Sequence, residues 1–594
     1  MKTIKTSCKA AASAALLTCV LLAPVTAPAA PGTLADTPLF LSNSVEPNVL
    51  FMLDDSGSMS WGMMTKEDRG IMNLSCPYYF AQPDPAFPDG EFWVMPTEAQ
   101  LQAEGIAAPY GGVWRAWNKD YNRIYYNPSI TYVPWPGLDG SGAPYKNINP
   151  TAALYNPADA ADGSINLTVE TTYDTDYCPG LLALVSVKNF YPARYNIWID
   201  SDADGVVDDN DAHTLIEIRP TTLTYAGGAN RRDCAAAPVC TYAEEIQNFA
   251  NWFSYYRKRE YVAKAAYGQV IAGASNARVG LVTLHNNGSA DTEIKSMNAD
   301  PTAGDKRTLL DNLYSGYGDS DTPLRDKFDN AGKYLSCKGN DFFGACPALP
   351  EDAGGECQQN FTVLMTDGYY NGSFSGNDNE DGDDNTKWDS GTAGPYGDSE
   401  KETLADIAME YYENDLFTSV DNNLRPPPGG IDENTAQHMV TYSVAFGVDG
   451  TLTAMPPNRT DPFAWPVPDT DAKKIDDLRH AAWNGRGEFL SAQNPAELIF
   501  GLRSALQSIQ GRVGSAASVA FNTGSLSTNS QVYLALFNSE RWNGNLLAFD
   551  LDPNTGAISS TPSWAAASRL DTRNLSTSPR TLLTYDGSDG IAFQ

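Results

Sequence analysis

The longest unbroken apolar run near the start of this chain after its first thirty residues is Val49–Leu53, preceded by Asn48 and stopped by Asp54. Its length, its stop signal and the Gly turn that follows predict a buried strand over 48–53. From Glu244 onward the pattern switches repeatedly between helical and strand periods. A helix is predicted from Glu245 to about Ala274, with Phe249, Trp252, Phe253 and Tyr256 on one face that a sheet would cover. A buried strand Arg278–Leu284 follows. Helices are predicted around 322–335, 399–414, 472–483 and 495–510, with strands at 361–366, 439–447 and 488–491. Strands alternating with helices of this length specify an α/β fold, a mostly parallel sheet with helices on both faces. Between Ser60 and about Ala243 the texture is different, rich in Pro, Gly, Tyr, Trp and Asp. So long a stretch exceeds any loop of a compact domain and predicts a large β-rich insertion, with strands at 181–187, 195–199 and 214–218. After Gly511 the chain reads as all-β, with strands at 530–537, 545–551 and 580–585 and a turn at 552–556.

The first strand delivers Asp54-Asp55-Ser56-Gly57-Ser58 onto a tight turn. One carboxylate and two hydroxyls converging there supply half of a site for a small hard cation, which takes oxygen ligands and keeps waters alongside one or two acids. Two further segments offer the rest: the polar loop Gly318–Arg325, which contains Thr322 and opens a helix, and the strand 361–366, which ends in Asp367 and Gly368. In parallel α/β sheets ligands bind beyond the carboxyl ends of the strands, where both would emerge. Together the three segments resemble the metal-ion-dependent adhesion site of von Willebrand factor A domains. By that resemblance Asp54, Ser56, Ser58, Thr322 and Asp367 coordinate Mg²⁺ (or Mn²⁺ or Ca²⁺), directly or through water.

A second candidate lies in the insertion. Asp200, Asp202 and Asp204 occupy positions 1, 3 and 5 of a twelve-residue calcium loop, with Gly205 at 6, the Val206 carbonyl at 7, and Asp208 and Asp211 at 9 and 12. The flanking sequence is strand-like, so the loop is expected without an EF-hand helix pair. Asn377–Asn385 is a poorer version of the same pattern, read as a flexible acidic excursion beyond Asp367.

Residues 1–29 have the form of a secretory signal: Lys2, Lys5 and Lys9, an apolar core over 11–23, and Ala27-Pro-Ala29 as cleavage site. The formal net charge of −33 becomes −36 when those three lysines are removed, which argues against a broad basic face for nucleic acid. No later run is long enough for a transmembrane helix. Seven cysteines follow the signal segment, and export favours disulfides. Cys234 and Cys240 are spaced to close a small loop, and two of Cys337, Cys346 and Cys357 are expected to pair. Catalysis is not indicated: His213, His285, His438 and His480 stand outside catalytic motifs, and no phosphate loop occurs.

Longer stretches extend the resemblance. Pro47–Met59, Tyr121–Trp135, Gln247–Arg259, Thr322–Arg325, Ile475–Gly487 and Trp542–Ala548 resemble the PilC/PilY family of type IV pilus biogenesis factors and tip adhesins. The resemblance implies an exported protein of the periplasm or outer membrane, pilus tip or cell surface. Its expected partners are pilins, other pilus-assembly proteins, and a carboxylate-bearing ligand on a host cell or surface. It also implies a division into signal peptide (1–29), first strand and metal loop (30–59), inserted β-rich domain with calcium loop (60–243), remainder of the A domain (244–512) and a segment resembling the start of a β-propeller (513–594). The function expected is a metal-dependent adhesion and assembly module. The alternative is an envelope sensor of calcium or surface contact that regulates pili without adhering.

Overall fold

The computed structural model describes residues 45–66, 113–176, 184–208, 210–229, 231–382, 394–427 and 431–514, and in the last part of the chain 519–521, 531–538, 543–550, 563–573, 583–585 and 590–592. The signal segment, Cys76, Cys178 and part of the predicted strand 181–187 lie outside these residues.

The central sheet has six strands: β1 (Asn48–Leu53), β4 (Arg278–Thr283), β5 (Thr292–Ser296), β6 (Asn360–Thr366), β7 (Met439–Phe446) and β8 (Arg486–Ala492), the labels β2 and β3 being kept for a hairpin of the insertion. Their spatial order is β5-β4-β1-β6-β7-β8. All neighbours are parallel except β5, an antiparallel edge on β4. The sheet is therefore mixed, and the edge strand went unpredicted because Thr292–Ser296 carries one apolar residue, Ile294. Each residue of β1, β6 and β7 is buried, as strands covered on both faces must be.

The two faces have separate cores. Val49 and Phe51 face a core built with α2 (Arg259–Gly273), α3 (Gly304–Ser315) and α7 (Pro495–Gly514). Leu50 and Met52 face the other, built with α4 (Leu324–Leu335), α5 (Leu404–Glu413) and α6 (Asp471–Asn484).

One long helix was expected over 245–274; two are found. α1 (Tyr242–Tyr255) ends at Tyr256, where φ −141 and ψ −4 leave the helix, and Lys258 is extended. The aromatic face of α1 does not pack on the sheet. Phe249 and Trp252 pack on Tyr126 and Tyr125, with ring centroids 4.9 and 4.7 Å apart, and Tyr256 packs on Tyr132 at 5.0 Å. Asn248 and Asn251 fix the backbone of the insertion, through Tyr132 N at 2.8 Å and Ile148 N at 3.0 Å. These tyrosines belong to the same continuous core as β1. The break in the helix lets α1 serve as a spine for the insertion while α2 returns to the sheet.

Elsewhere in the insertion β2 (Arg194–Ile199) and β3 (Ala212–Glu217) form an antiparallel hairpin around the acidic loop. Disulfides join Cys234 to Cys240 and Cys337 to Cys346, leaving Cys357 as an exposed thiol. The acidic excursion is firmly held where it is described. Asp381 is fully buried, accepts from Asn484 Nδ2 at 2.8 Å and lies 3.4 Å from His480. Burial raises its pKa to about 7 despite the nearby imidazole. Beyond α7, β9 (Val519–Phe521), β10 (Gln531–Asn538), β11 (Asn543–Asp550) and β12 (Trp564–Ala565) make an antiparallel sheet in that order. Asn543 and Gly544, just before the strand predicted from 545, already pair with β10. Among the described residues no helix is long and apolar enough to cross a membrane.

Candidate metal centre

From β1 the chain passes to β4 on one side, and after β5 it crosses to β6 on the other. Connections that leave a strand in opposite directions open a crevice at its carboxyl end. Leu53 pairs with Thr283 and Met365, so Asp54 and Asp367 emerge side by side. Both are 1 % exposed.

The turn that begins at Asp54 is fixed by its own carboxylate. Asp54 Oδ1 accepts from Ser56 N at 2.8 Å, and Oδ2 accepts from Thr366 Oγ1 at 2.5 Å. Ser58 Oγ donates to Asp367 Oδ1 at 2.8 Å and lies 3.2 Å from Ser56 Oγ. Two acids and two hydroxyls thus meet within a few ångströms. Burial first, then the Asp367 charge, raises the Asp54 pKa to about 7, with Ser56 and Thr366 offsetting only part of the rise.

Thr322 arrives on the loop between α3 and α4. Gly57 N donates to Ser320 O and Asp319 N donates to Asp55 O, so the loop lies directly on the Asp54–Ser58 turn. Gly318 is required there: a Cβ on it would sit 2.7 Å from Ser56 O. Thr322 is buried and held through its backbone, exchanging hydrogen bonds with Asn371. The structure therefore brings Asp54, Ser56, Ser58 and Asp367 into one hydrogen-bonded cluster and sets Thr322 on the adjoining loop. The donor set is all oxygen and contains two closely spaced buried carboxylates, which fits a small hard cation.

In the hairpin loop Asp200, Asp202 and Asp204 each present a carboxylate oxygen within 4.8 Å of the others, all exposed. Partial desolvation and repulsion from Asp204, Asp208 and Asp211 raise the Asp202 pKa. Val206 donates its amide to Asp204 Oδ1 at 2.7 Å. Asp211 is turned elsewhere: Oδ1 accepts from Ser201 N, and Oδ2 from Trp198 Nε1 and Asp208 N. Asp208 accepts from Asn210. Three of the expected acids are together, and two close the hairpin.

Comparison with known proteins finds relatives along most of this chain. It is 26 % identical over 588 residues to the type IV pilus biogenesis factor PilY1 of Pseudomonas aeruginosa strain UCBPP-PA14, covering 90 % of this chain and 45 % of that protein. Against PilY1 of strain PAK it is 26 % identical over 644 residues, covering 98 % and 49 %. The chain is thus similar to type IV pilus biogenesis factors of the PilY1 kind. It spans about half the length of the curated relatives it matches. No protein-family profile and no solved structure matches it.

Several residues around the centre escaped the sequence pattern. Asp55 is not aimed at the cluster. Its Oδ1 accepts from His285 N at 3.0 Å and lies 3.1 Å from His285 Nδ1, and its Oδ2 accepts from Asn287 N at 3.1 Å, which fastens the β4–β5 turn to the Asp54–Ser58 turn. Glu260 accepts from Gly318 N at 2.9 Å. Arg259 donates to Asp367 Oδ2 at 2.9 Å, both side chains being buried. One signal of this was visible: Lys258 and Arg259 open a helix, where the dipole disfavours cations by about 0.3–1 kcal/mol. Breaking a buried ion pair costs about 3–5 kcal/mol, so the pair with Asp367 decides.

The raised Asp54 pKa gives a testable sign. A carboxyl whose folded pKa lies above its unfolded value stabilises the fold at low pH and loses that contribution as pH rises through the folded value. In chelator, urea-unfolding stability of the wild type is expected to fall between about pH 4 and pH 7. Asp54→Asn should lack that component of the slope and match or exceed the wild type at pH 8.

Proposed function

We propose that this chain is an exported, metal-dependent adhesion and assembly module of a type IV pilus, acting at the cell envelope, pilus tip or surface. The relatives named type IV pilus biogenesis factors support the setting. The observation that carries the metal dependence is the cluster of Asp54, Ser56, Ser58 and Asp367 at the switch point of the sheet.

Asp54, Ser56, Ser58, Asp367 and Thr322 would hold Mg²⁺ or Mn²⁺. Such an ion supplies Lewis acidity toward a carboxylate on a pilin, another pilus-assembly protein or a surface ligand. The chain's own contribution is position and exclusion of water. The in-register strands bring the acids together, Thr366 and Ser56 hold Asp54, and the 318–322 loop covers the turn. Asp200, Asp202 and Asp204 would take Ca²⁺, which would relieve their mutual repulsion and stiffen the β2–β3 hairpin. The role proposed is binding, not turnover.

The test is a strain carrying Asp54→Ala in place of the wild-type protein. Surface binding is expected to lose its Mg²⁺ dependence, while the variant is still recovered with sheared appendages and keeps wild-type protease resistance in chelator. Unchanged Mg²⁺-dependent binding would overturn the metal-dependent reading, and absence of the wild type from appendages would overturn the pilus-tip location.

A further inference from the structure

Among the described residues, the side chain of Arg259 reaches Asp367, Met63 and Trp61. Nη1 donates to Asp367 Oδ2 at 2.9 Å, Nε donates to Met63 O at 2.8 Å, and the guanidinium carbon lies 5.0 Å from the centroid of the Trp61 ring. Its backbone amide also donates to Trp61 O. Arg259 occupies one oxygen of Asp367 and leaves the other, Oδ1, on the side of Ser58 and Ser56.

We infer that Arg259 is a built-in counter-charge of the metal centre, which orients Asp367 and weakens the protein's own hold on the cation so that an acidic partner is needed to complete it. This rests on the metal-binding reading proposed above. With both acids ionised, as a bound cation would hold them, Asp54, Asp367 and Arg259 together carry a single negative charge. A divalent ion there would retain a positive charge, and Coulomb attraction in a partly buried site makes that excess felt by an incoming carboxylate. Without the guanidinium, two acids would neutralise the ion and the demand for an external acid would fall. The fork geometry of arginine suits this task, since one planar group can hold a carboxylate and a backbone carbonyl together. The second of those partners, Met63 O, anchors the cation to the chain leaving the metal turn.

The experiment is calorimetric titration of the full chain with MnCl₂, in a background carrying Asp202→Asn and Asp204→Asn to silence the acidic loop. Arg259→Gln is expected to tighten Mn²⁺ binding by about tenfold or more, and Arg259→Lys, which keeps the charge, to stay within about threefold of the wild type. Added sodium acetate should strengthen Mn²⁺ binding to the wild type more than to Arg259→Gln. A purely structural role predicts the opposite sign, weaker Mn²⁺ binding in the Gln variant, and that result or an unchanged affinity would overturn the inference. If Arg259→Gln does not fold, the Lys variant decides: a loss of more than about tenfold in a protein with native circular dichroism shows that geometry and not charge matters, and overturns it. If the wild type shows no Mn²⁺ binding that Asp54→Ala removes, the metal-binding reading itself has failed, and the inference falls with it.

Discussion

Two carboxylates forced together at the ends of adjacent parallel strands are the constraint around which this molecule is arranged. The register of β1 on β6 leaves Asp54 and Asp367 no choice of neighbour, and both are buried. Buried like charges are tolerated only when one is protonated or when positive charge and hydrogen-bond donors are supplied. The structure supplies Thr366, Ser56 and Ser58 as donors and Arg259 as cation. The guanidinium offsets only one of the two acids, and the incompletely balanced pair is the reason to read the site as a place for a metal.

The same interactions join the parts of the chain. Arg259, Glu260 and Lys264 lie on the first turns of α2 and reach Asp367, Gly318 N and Gly316 O respectively. The preceding helix, α1, carries the aromatic contacts of the insertion. A short, non-helical link at Tyr256–Lys258 therefore stands between the segment that frames the site and the residues that hold it. Because the insertion shares one continuous apolar core with β1, close-packed side chains connect the two regions.

The α/β alternation was legible because strands buried on both faces are apolar without interruption, as in β1, β6 and β7. The placement of Asp54 and Asp367 was legible because each directly follows such a strand, and that of Ser56 and Ser58 because they lie on the Gly turn after the first. The antiparallel edge β5 was not, since its exposed positions erase the pattern. The helix break at Tyr256 was hidden because Tyr, Arg and Lys are acceptable helix formers, and only tertiary contacts with Trp61 and the insertion reveal it. For the same reason the aromatic face of α1 was assigned to the wrong partner: helical spacing shows that a face is buried, not what buries it. The spacing of Asp208 and Asp211 could not show the hydrogen bonds that Trp198, Ser201 and Asn210 make to them.

The central claim is that the crevice between β1 and β6 holds a divalent cation. It is tested most directly by anomalous diffraction from crystals of this chain grown with Mn²⁺. The account predicts an anomalous peak within about 2–2.5 Å of the Asp54 carboxylate or its bound water and of the Ser56 and Ser58 hydroxyls. A well-ordered crystal with manganese at the Asp200–Asp204 loop alone, and Asp54 still bonded only to Ser56 and Thr366, would contradict it.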